Sequence, residues 1–434
     1  MTEKTFRPLA ESFYQAREKG GQILKEGIYA PEKKSYVRYI LTGQLPSIEQ
    51  YQADLHAGIL ISDIIVNRFT RNALVNPQIR AQIIEPYYPK NALEYALKYI
   101  DFHGLAPQTP PLSRTDMLLT AQGLKVIEIN PDAPEGYALS QAGKYLMEKF
   151  STGKHSFLYQ FFHFAQKKFL NQIGKEKGEV KALIPYWAKG SLTPIDAQAM
   201  SDDLRSNGYD VEAVALEELQ EKDATKFNCV LRIFSTATTN WEKNKNLPFF
   251  QEEEFLKLPQ YPAPWTDIAG LKHWLAILYQ SLTLMDPLKQ KKLLLSVANL
   301  QLLNKVLLPT FSPTHYSPQQ LLEIYYHDKN RWVAKQINSS HGEGFRDKPE
   351  SIEQALISGN FILQEKADCL RLNHLIVLNP DASISEQENW LVDMDPMGYV
   401  DHNIIACVRA CFDHPMNVAG ENGGGFYNPL YFST

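Results

Sequence analysis

Four polar residues in two short stretches carry the clearest chemical signal in this chain. Arg114 and Asp116 lie two positions apart, and so do Glu128 and Asn130. On β-strands, side chains two positions apart point to one face. The segments Arg114 to Leu119 and Lys125 to Ile129 read as strands joined by Thr120-Ala121-Gln122-Gly123, a turn-like linker, so a hairpin brings the four groups together. Hard cations such as Mg²⁺ take oxygen ligands, commonly one or two carboxylates with phosphate oxygens. Asp116, Glu128 and Asn130 supply such a shell, with Arg114 facing an anionic substrate. An Arg114–Asp116 ion pair beside a solvated Glu128 accounts for the same spacing, because charged residues are common on exposed strand faces.

Three later segments extend the pattern. Trp332 to Phe345 reads WVAKQINSSHGEGF, an apolar strand carrying Lys335 and then a loop with Gly342 and Gly344. Glycines let backbone amides approach an anion closely, and the lysine offers a point charge to phosphate. The lysine precedes the glycines, so this is not a Walker A loop, and an ordinary hairpin with a solvent lysine fits as well. In Phe361 to Asp368, FILQEKAD, a strand turns polar at Gln364 and Glu365, as an adenine-facing strand end would; a plain edge strand is the other reading. Lys305 sits in the apolar run Asn304 to Pro309, where a snorkelling surface lysine is usual.

Weaker signals lie toward the end of the chain. Asn403 to Phe412 reads as a short helix, which places Cys407, Cys411 and His414 at i, i+4 and i+7; apolar cysteines on a helix are usually core. Asp393 and Asp395 alternate on a strand and share a face, either a secondary metal or amine contact or a solvent face. Gly420 to Gly425 reads as a loop, either covering substrate or flexible. No convincing Ser/His/Asp or Cys/His arrangement is visible.

The elements that must position these groups are of α/β (α+β) type. Residues 1–105 carry helix-period apolar spacing, with Leu55, Ile59, Val66 and Phe69 on one face. The Pro-rich stretch Ala106 to Pro111 ends helix propagation. From Glu179 to about 240, apolar strands alternate with a helix over Pro194 to Asn207, which suggests a parallel, Rossmann-like unit without a dinucleotide fingerprint. Residues 266–308 read as helical, and Trp332 to Val400 mostly as strand with a helix over Ser351 to Ile357. The division is 1–105, 106–177, 178–285 and 286–434.

Composition bounds the function. The 434 residues are 44% apolar and 21% charged, which excludes collagen-like and disordered classes. Interspersed charges summing to −5 offer no broad basic field for nucleic acid. Four cysteines without CxxC spacing, no apolar leader and no uninterrupted apolar span lead us to expect a cytoplasmic protein with neither a nucleic-acid nor a membrane partner. A homodimer is compatible with the sequence.

Taken together and in this order, the segments resemble the synthetase domain of glutathionylspermidine synthases and related circularly permuted ATP-grasp ligases, over residues 105–434. In that family an Arg-x-Asp strand and a Glu-x-Asn strand come first, then a Rossmann-like section, then an NK-x-x-LP segment and a lysine strand with a glycine loop. The resemblance implies a circularly permuted ATP-grasp fold and an ATP- and Mg²⁺-dependent carbon–nitrogen ligase acting on small carboxylate and amine substrates through an acyl phosphate. It implies that Asp116, Glu128 and Asn130 bind magnesium and that Arg114 steadies the transferred phosphate. It further implies that Lys305, Lys335, Gly342 and Gly344 contact ATP and that Gln364 and Glu365 face adenine. The amidase domain of the bifunctional members is not matched. A nucleotide-binding regulatory module without ligase activity is the rival expectation.

Overall fold

The computed structural model describes residues 39–42, 48–106, 112–131, 137, 140, 158–174, 179–188, 193–283, 296–339, 344–378, 384–398, 405–411 and 426–429. The chain opens with β1 (Tyr39–Thr42), α1 (Ile48–Asp63), which runs on into a π-helical segment Ile64–Thr70, and α2 (Lys90–His103). The hairpin follows as β2 (Arg114–Thr120) and β3 (Gly123–Asn130), then α3 (Leu158–Ile173). Next come β4 (Lys181–Tyr186), α4 (Thr193–Ser206), β5 (Asp210–Ala215), β6 (Cys229–Leu231), β7 (Gln260–Tyr261), α5 (His273–Thr283) and α6 (Val297–Val306). After β8 (Thr310–Phe311) stand α7 (Pro318–His327), β9 (Trp332–Gln336), β10 (Phe345–Arg346), α8 (Pro349–Ile357) and β11 (Phe361–Glu365). The last described elements are β12 (Arg371–Leu372), β13 (Leu375–Leu378), β14 (Ile384–Gln387), β15 (Trp390–Met397), β16 (Ile405–Cys411) and β17 (Phe426–Pro429).

Local signals explain several of these boundaries. Ser296 caps α6 by accepting the Asn299 amide at 3.1 Å. Ser317 and Gln320 form a reciprocal capping box ahead of α7, with Pro318 in its first turn. β4, β5, β6 and β7 pair in parallel, in the order β5-β4-β6-β7, and the central strands β4 and β6 bury their apolar residues Ala182 to Ile184 and Cys229 to Leu231.

The central sheet runs β17-β16-β15-β2-β3, with β12 also pairing β15, and all its pairings are antiparallel. One face carries α1: Leu55, Leu60 and Ile61 bury against Met117, Leu119 and Met394. Burying such a side chain stabilises by about 1.5–3 kcal/mol each. Gly58 lets the helix backbone touch the sheet, and the Thr115 hydroxyl donates to the Gly58 carbonyl at 2.9 Å. Every residue of β2 is buried, so its other face, with Arg114, Asp116 and Leu118, is covered too. A third sheet, β10-β9-β11-β8, buries Ala334, Trp332 and Leu363 against α7 and α8.

Two expectations need correction. Residues 405–411, expected within a helix over Asn403 to Phe412, form β16, paired with β15 along its length. The segment reads equally at period two, and pairing with the fully buried β15 decides between the periods. The opening section also includes a strand, since β1 pairs with β13. Gly342, His414 and Gly420 to Gly425 lie outside the described residues. No helix among the described residues is long and apolar enough to cross a membrane.

Candidate functional site

The hairpin sets the geometry. Asp116 pairs with Glu128 and Arg114 with Asn130, and a bulge follows, because Met117 pairs with Val126 and leaves Ile127 as an extra residue. In the third sheet β9 and β11 alternate: Lys335 pairs with Ile362 and Val333 with Gln364, so these four share the face opposite Trp332 and Ala334. From that face Lys335 Nζ donates to the bulge carbonyl of Ile127 at 3.0 Å. Beside it, Leu118, Ile127 and Leu308 form an apolar cluster, with Ala367 and Cys369 packed on it.

At the open end of the hairpin lies a buried ion cluster. Arg114 reaches Asp116 through Nε at 2.8 Å and Nη2 at 3.3 Å. Asn130 Nδ2 donates to the same carboxylate at 3.0 Å. Arg409, from β16, places Nη2 at 2.8 Å from Asp116 Oδ2 and 2.6 Å from Asp393 Oδ2, with Nε at 2.7 Å from Asp395 Oδ2. Asp395 Oδ1 accepts the Met117 amide at 3.2 Å. Lys272 lies 3.4 Å from Glu128 Oε2, and its ammonium also donates to the Ser339 carbonyl.

Charge balance explains the protonation. Three buried aspartates share two guanidiniums, so one carboxylate goes uncompensated. Burial works to raise the Asp116 carboxyl, but Arg114 and Arg409 overcome it and hold the group well below the usual carboxylate range. Burial prevails at the other two: it lifts Asp393 to about 6 against the pull of Arg409, and Asp395 well above its ordinary value. Of the three, the two on β15 are thus those whose ionised form burial disfavours. Burial also brings the Lys335 ammonium down to about 8, with Glu128 opposing and Lys272 assisting.

The structure thus brings together Arg114, Asp116, Glu128, Asn130 and Lys335. Lys305 stands elsewhere, at the turn end, paired with Asp54 at 2.6 Å. That end is four residues along the strand from Asp116, or about 13 Å at ~3.3 Å per residue. Gln364 is buried on the Lys335 face and donates to Thr310 Oγ1 at 3.2 Å, whereas Glu365 pairs with Arg331 at 2.8 Å. β11 lies inside its sheet, between β9 and β8, and is not an edge strand. Gly344 packs so closely that a Cβ there would collide with Gln336 and Ser339, which explains the glycine without invoking an anion.

Sequence reasoning missed Lys272 and Arg409 and left Asp393 and Asp395 between a contact and a solvent face. Both aspartates are buried. A lone lysine in the run Ile268 to Leu275 was a usable signal for Lys272. Arg409 was hidden by the helical reading of its segment.

The magnesium expectation can be tested on the donor set. A carboxylate has about four lone-pair sites, and Asp116 receives four donors: Arg114 Nε, Arg114 Nη2, Asn130 Nδ2 and Arg409 Nη2. Asn130 faces Asp116 as a donor, and Glu128 has a lysine beside it. Asp116, Glu128 and Asn130 as arranged do not fit a shared divalent ion. Among the described residues no group of three or more His, Cys, Asp or Glu is placed to hold one.

No family model and no curated protein matches the chain in sequence. Among solved structures it is similar to a glutathione synthetase-like effector from Globodera pallida in apo form, with a TM-score of 0.56 and 10% identity over 98% of this chain and 97% of that one. A provisionally named gamma-glutamylcysteine synthetase from Methylobacillus flagellatus matches at a TM-score of 0.38 and 12% identity, over 91% and 89% of the two chains. The second likeness is too remote to carry an argument. The first spans almost all of both chains and establishes a shared synthetase-like fold, and at 10% identity the fold alone.

Proposed function

We propose that this protein is an ATP-dependent carboxylate–amine ligase with a circularly permuted ATP-grasp architecture. The observation that carries the reading is the meeting of two antiparallel sheets, where Lys335 of one reaches the Ile127 backbone of the other, with an apolar cluster and a cluster of cations beside it. An apolar floor of Leu118, Ile127 and Leu308 suits a nucleobase, with the buried Gln364 amide at the head of the same face as Lys335. Lys335, Lys272 and Arg114 offer positive charge where phosphoryl oxygens would lie.

The chemistry follows from those groups. A carboxylate is a poor electrophile, so its oxygen first attacks the γ-phosphorus of ATP; the new O–P bond forms as the bond to the β,γ-bridging oxygen breaks and ADP leaves. Lys335 and Arg114 offset charge on the transferring oxygens. The amine then attacks the acyl carbon; the C–N bond forms as the bond from that carbon to the phosphate-bearing oxygen breaks, phosphate leaves with that oxygen and the electron pair, and the amine proton passes to phosphate or solvent. Lys272 also donates to the Ser339 carbonyl, which holds its ammonium between that backbone and Glu128. Magnesium arrives with the nucleotide as part of the substrate.

The test is nucleotide titration into wild type and Lys335→Ala, followed by hydroxylamine trapping with candidate acids. Saturable binding weakened by the substitution, with a hydroxamate formed only in the presence of ATP, is expected. Absence of nucleotide binding by the wild type would overturn the reading in favour of a module that needs no nucleotide.

A further inference from the structure

The ion cluster assigns a role to Arg409 that the sequence did not suggest. Its guanidinium stands among three carboxylates from two strands: 2.8 Å from Asp116, 2.6 Å from Asp393 and 2.7 Å from Asp395. All four side chains are buried. The Arg409 backbone amide adds a further bond to Asp393 Oδ1 at 3.2 Å, so β16 is registered against β15 by this cluster as well as by its ladder. The guanidinium fills the place at which three converging carboxylates would otherwise gather a cation. A divalent ion on Asp116 would have to break charge-assisted hydrogen bonds in a buried site and sit beside a fixed positive charge.

We propose that Arg409 is the built-in counter-cation of this cluster and that Asp116 is consequently a positioning residue, holding Arg114 toward the substrate, and not a metal ligand. Divalent ions then associate with the protein only on the phosphates of a nucleotide. The first half stands on the cluster alone. The statement about nucleotide rests on the ligase reading.

The experiment uses Mn²⁺ as a paramagnetic probe of the full chain, followed by the loss of its free-ion resonance. Without nucleotide, the wild type is expected to leave that resonance undiminished. Arg409→Met, which removes the one cation that the three carboxylates share, is expected to diminish it, and adding Asp393→Asn to Arg409→Met to restore it. Binding of Mn²⁺ to the nucleotide-free wild type, abolished by Asp116→Asn, would overturn the proposal. Should Arg409→Met fail to fold, Asp116→Asn in the wild-type background decides with Mn²⁺-ATP. The proposal expects the protein-bound manganese resonance to keep the line shape it has in the wild type, whereas loss of a carboxylate ligand would change it. If no nucleotide binds at all, the ligase reading fails while the nucleotide-free arm still decides the role of Arg409.

Discussion

Lys335 of the third sheet hydrogen-bonds the carbonyl of Ile127, the extra residue of the β3 bulge, at 3.0 Å. Burial draws its ammonium down to about 8, so the group is charged below that pH and neutral above it. If it grips phosphate, nucleotide affinity falls as pH rises through about 8, by up to about tenfold per pH unit, since one unit is about 1.4 kcal/mol. Lys335→Arg stays charged and flattens the profile. Calorimetric titration of ATP across this range checks it, and a wild-type profile no steeper than that of Lys335→Arg would remove Lys335 from the site.

Gly58 fixes how closely α1 lies on the central sheet. A Cβ there would come within 2.6 Å of Met117 Sδ and 2.9 Å of Pro396 Cγ. Gly58→Ala gains about 1 kcal/mol of helix propensity, but overpacking costs typically about 1–3 kcal/mol and also shifts the β2–β15 pair on which the ion cluster stands. The expected outcome is a lower urea midpoint with an unchanged slope. An equal or higher midpoint would show that the contact relaxes freely.

The hairpin was legible because its period-two polar pairs flank a turn ending in glycine, and Arg114, Asp116, Glu128 and Asn130 do meet at its open end. The parallel unit was legible because short apolar runs, Ala182 to Pro185 and Cys229 to Leu231, stand either side of a helix and an extended segment. What hid the remainder was long-range pairing. Arg409 joins Asp116 across 293 positions, and Lys272 reaches Ser339 across 67, distances over which no local period carries information. Lys305 shows the converse: its apolar setting was plain, but only the fold reveals that Asp54 of α1 claims it.

Arg232 and Asp267 form a fully buried pair, with Nη2 2.9 Å from Oδ1, and the arginine also donates to the carbonyls of Pro262, Phe234 and Ala263. The pair ties the segment after β6 to the 3₁₀ segment Pro264–Gly270 after β7. Asp267→Ala strands the guanidinium and is expected to cost about 3–5 kcal/mol, while Arg232→Met with Asp267→Leu removes both charges and recovers most of that loss. A double-mutant cycle by denaturant unfolding measures the coupling. A double variant no more stable than Asp267→Ala would mean that the backbone bonds of Arg232, and not its charge pairing, hold these loops.

His273 opens α5 beside Lys272 and is fully buried, with edge contacts to Tyr87 and Trp274 and no hydrogen-bond partner for either ring nitrogen among the described residues. Burial, with a smaller contribution from His315, holds its pKa down to about 3 from 6.5. A depressed pKa in the folded state means that protons bind the unfolded chain better, so this group's stability is complete above about pH 6.5 and is lost as pH falls toward about 3. The loss approaches about 1.4 kcal/mol per pH unit within that window. His273→Phe keeps the aromatic contacts and cannot take a proton. The gap in unfolding free energy between the two proteins is therefore expected to shift in favour of the variant as pH is lowered from about 7.5 to 5, by about 1–2 kcal/mol. Urea unfolding of both proteins at matched ionic strength measures it. Carboxylate titrations common to the two chains cancel in the difference, so a pH-independent gap would mean that His273 finds a proton partner or water in solution that keeps its pKa near the unfolded value.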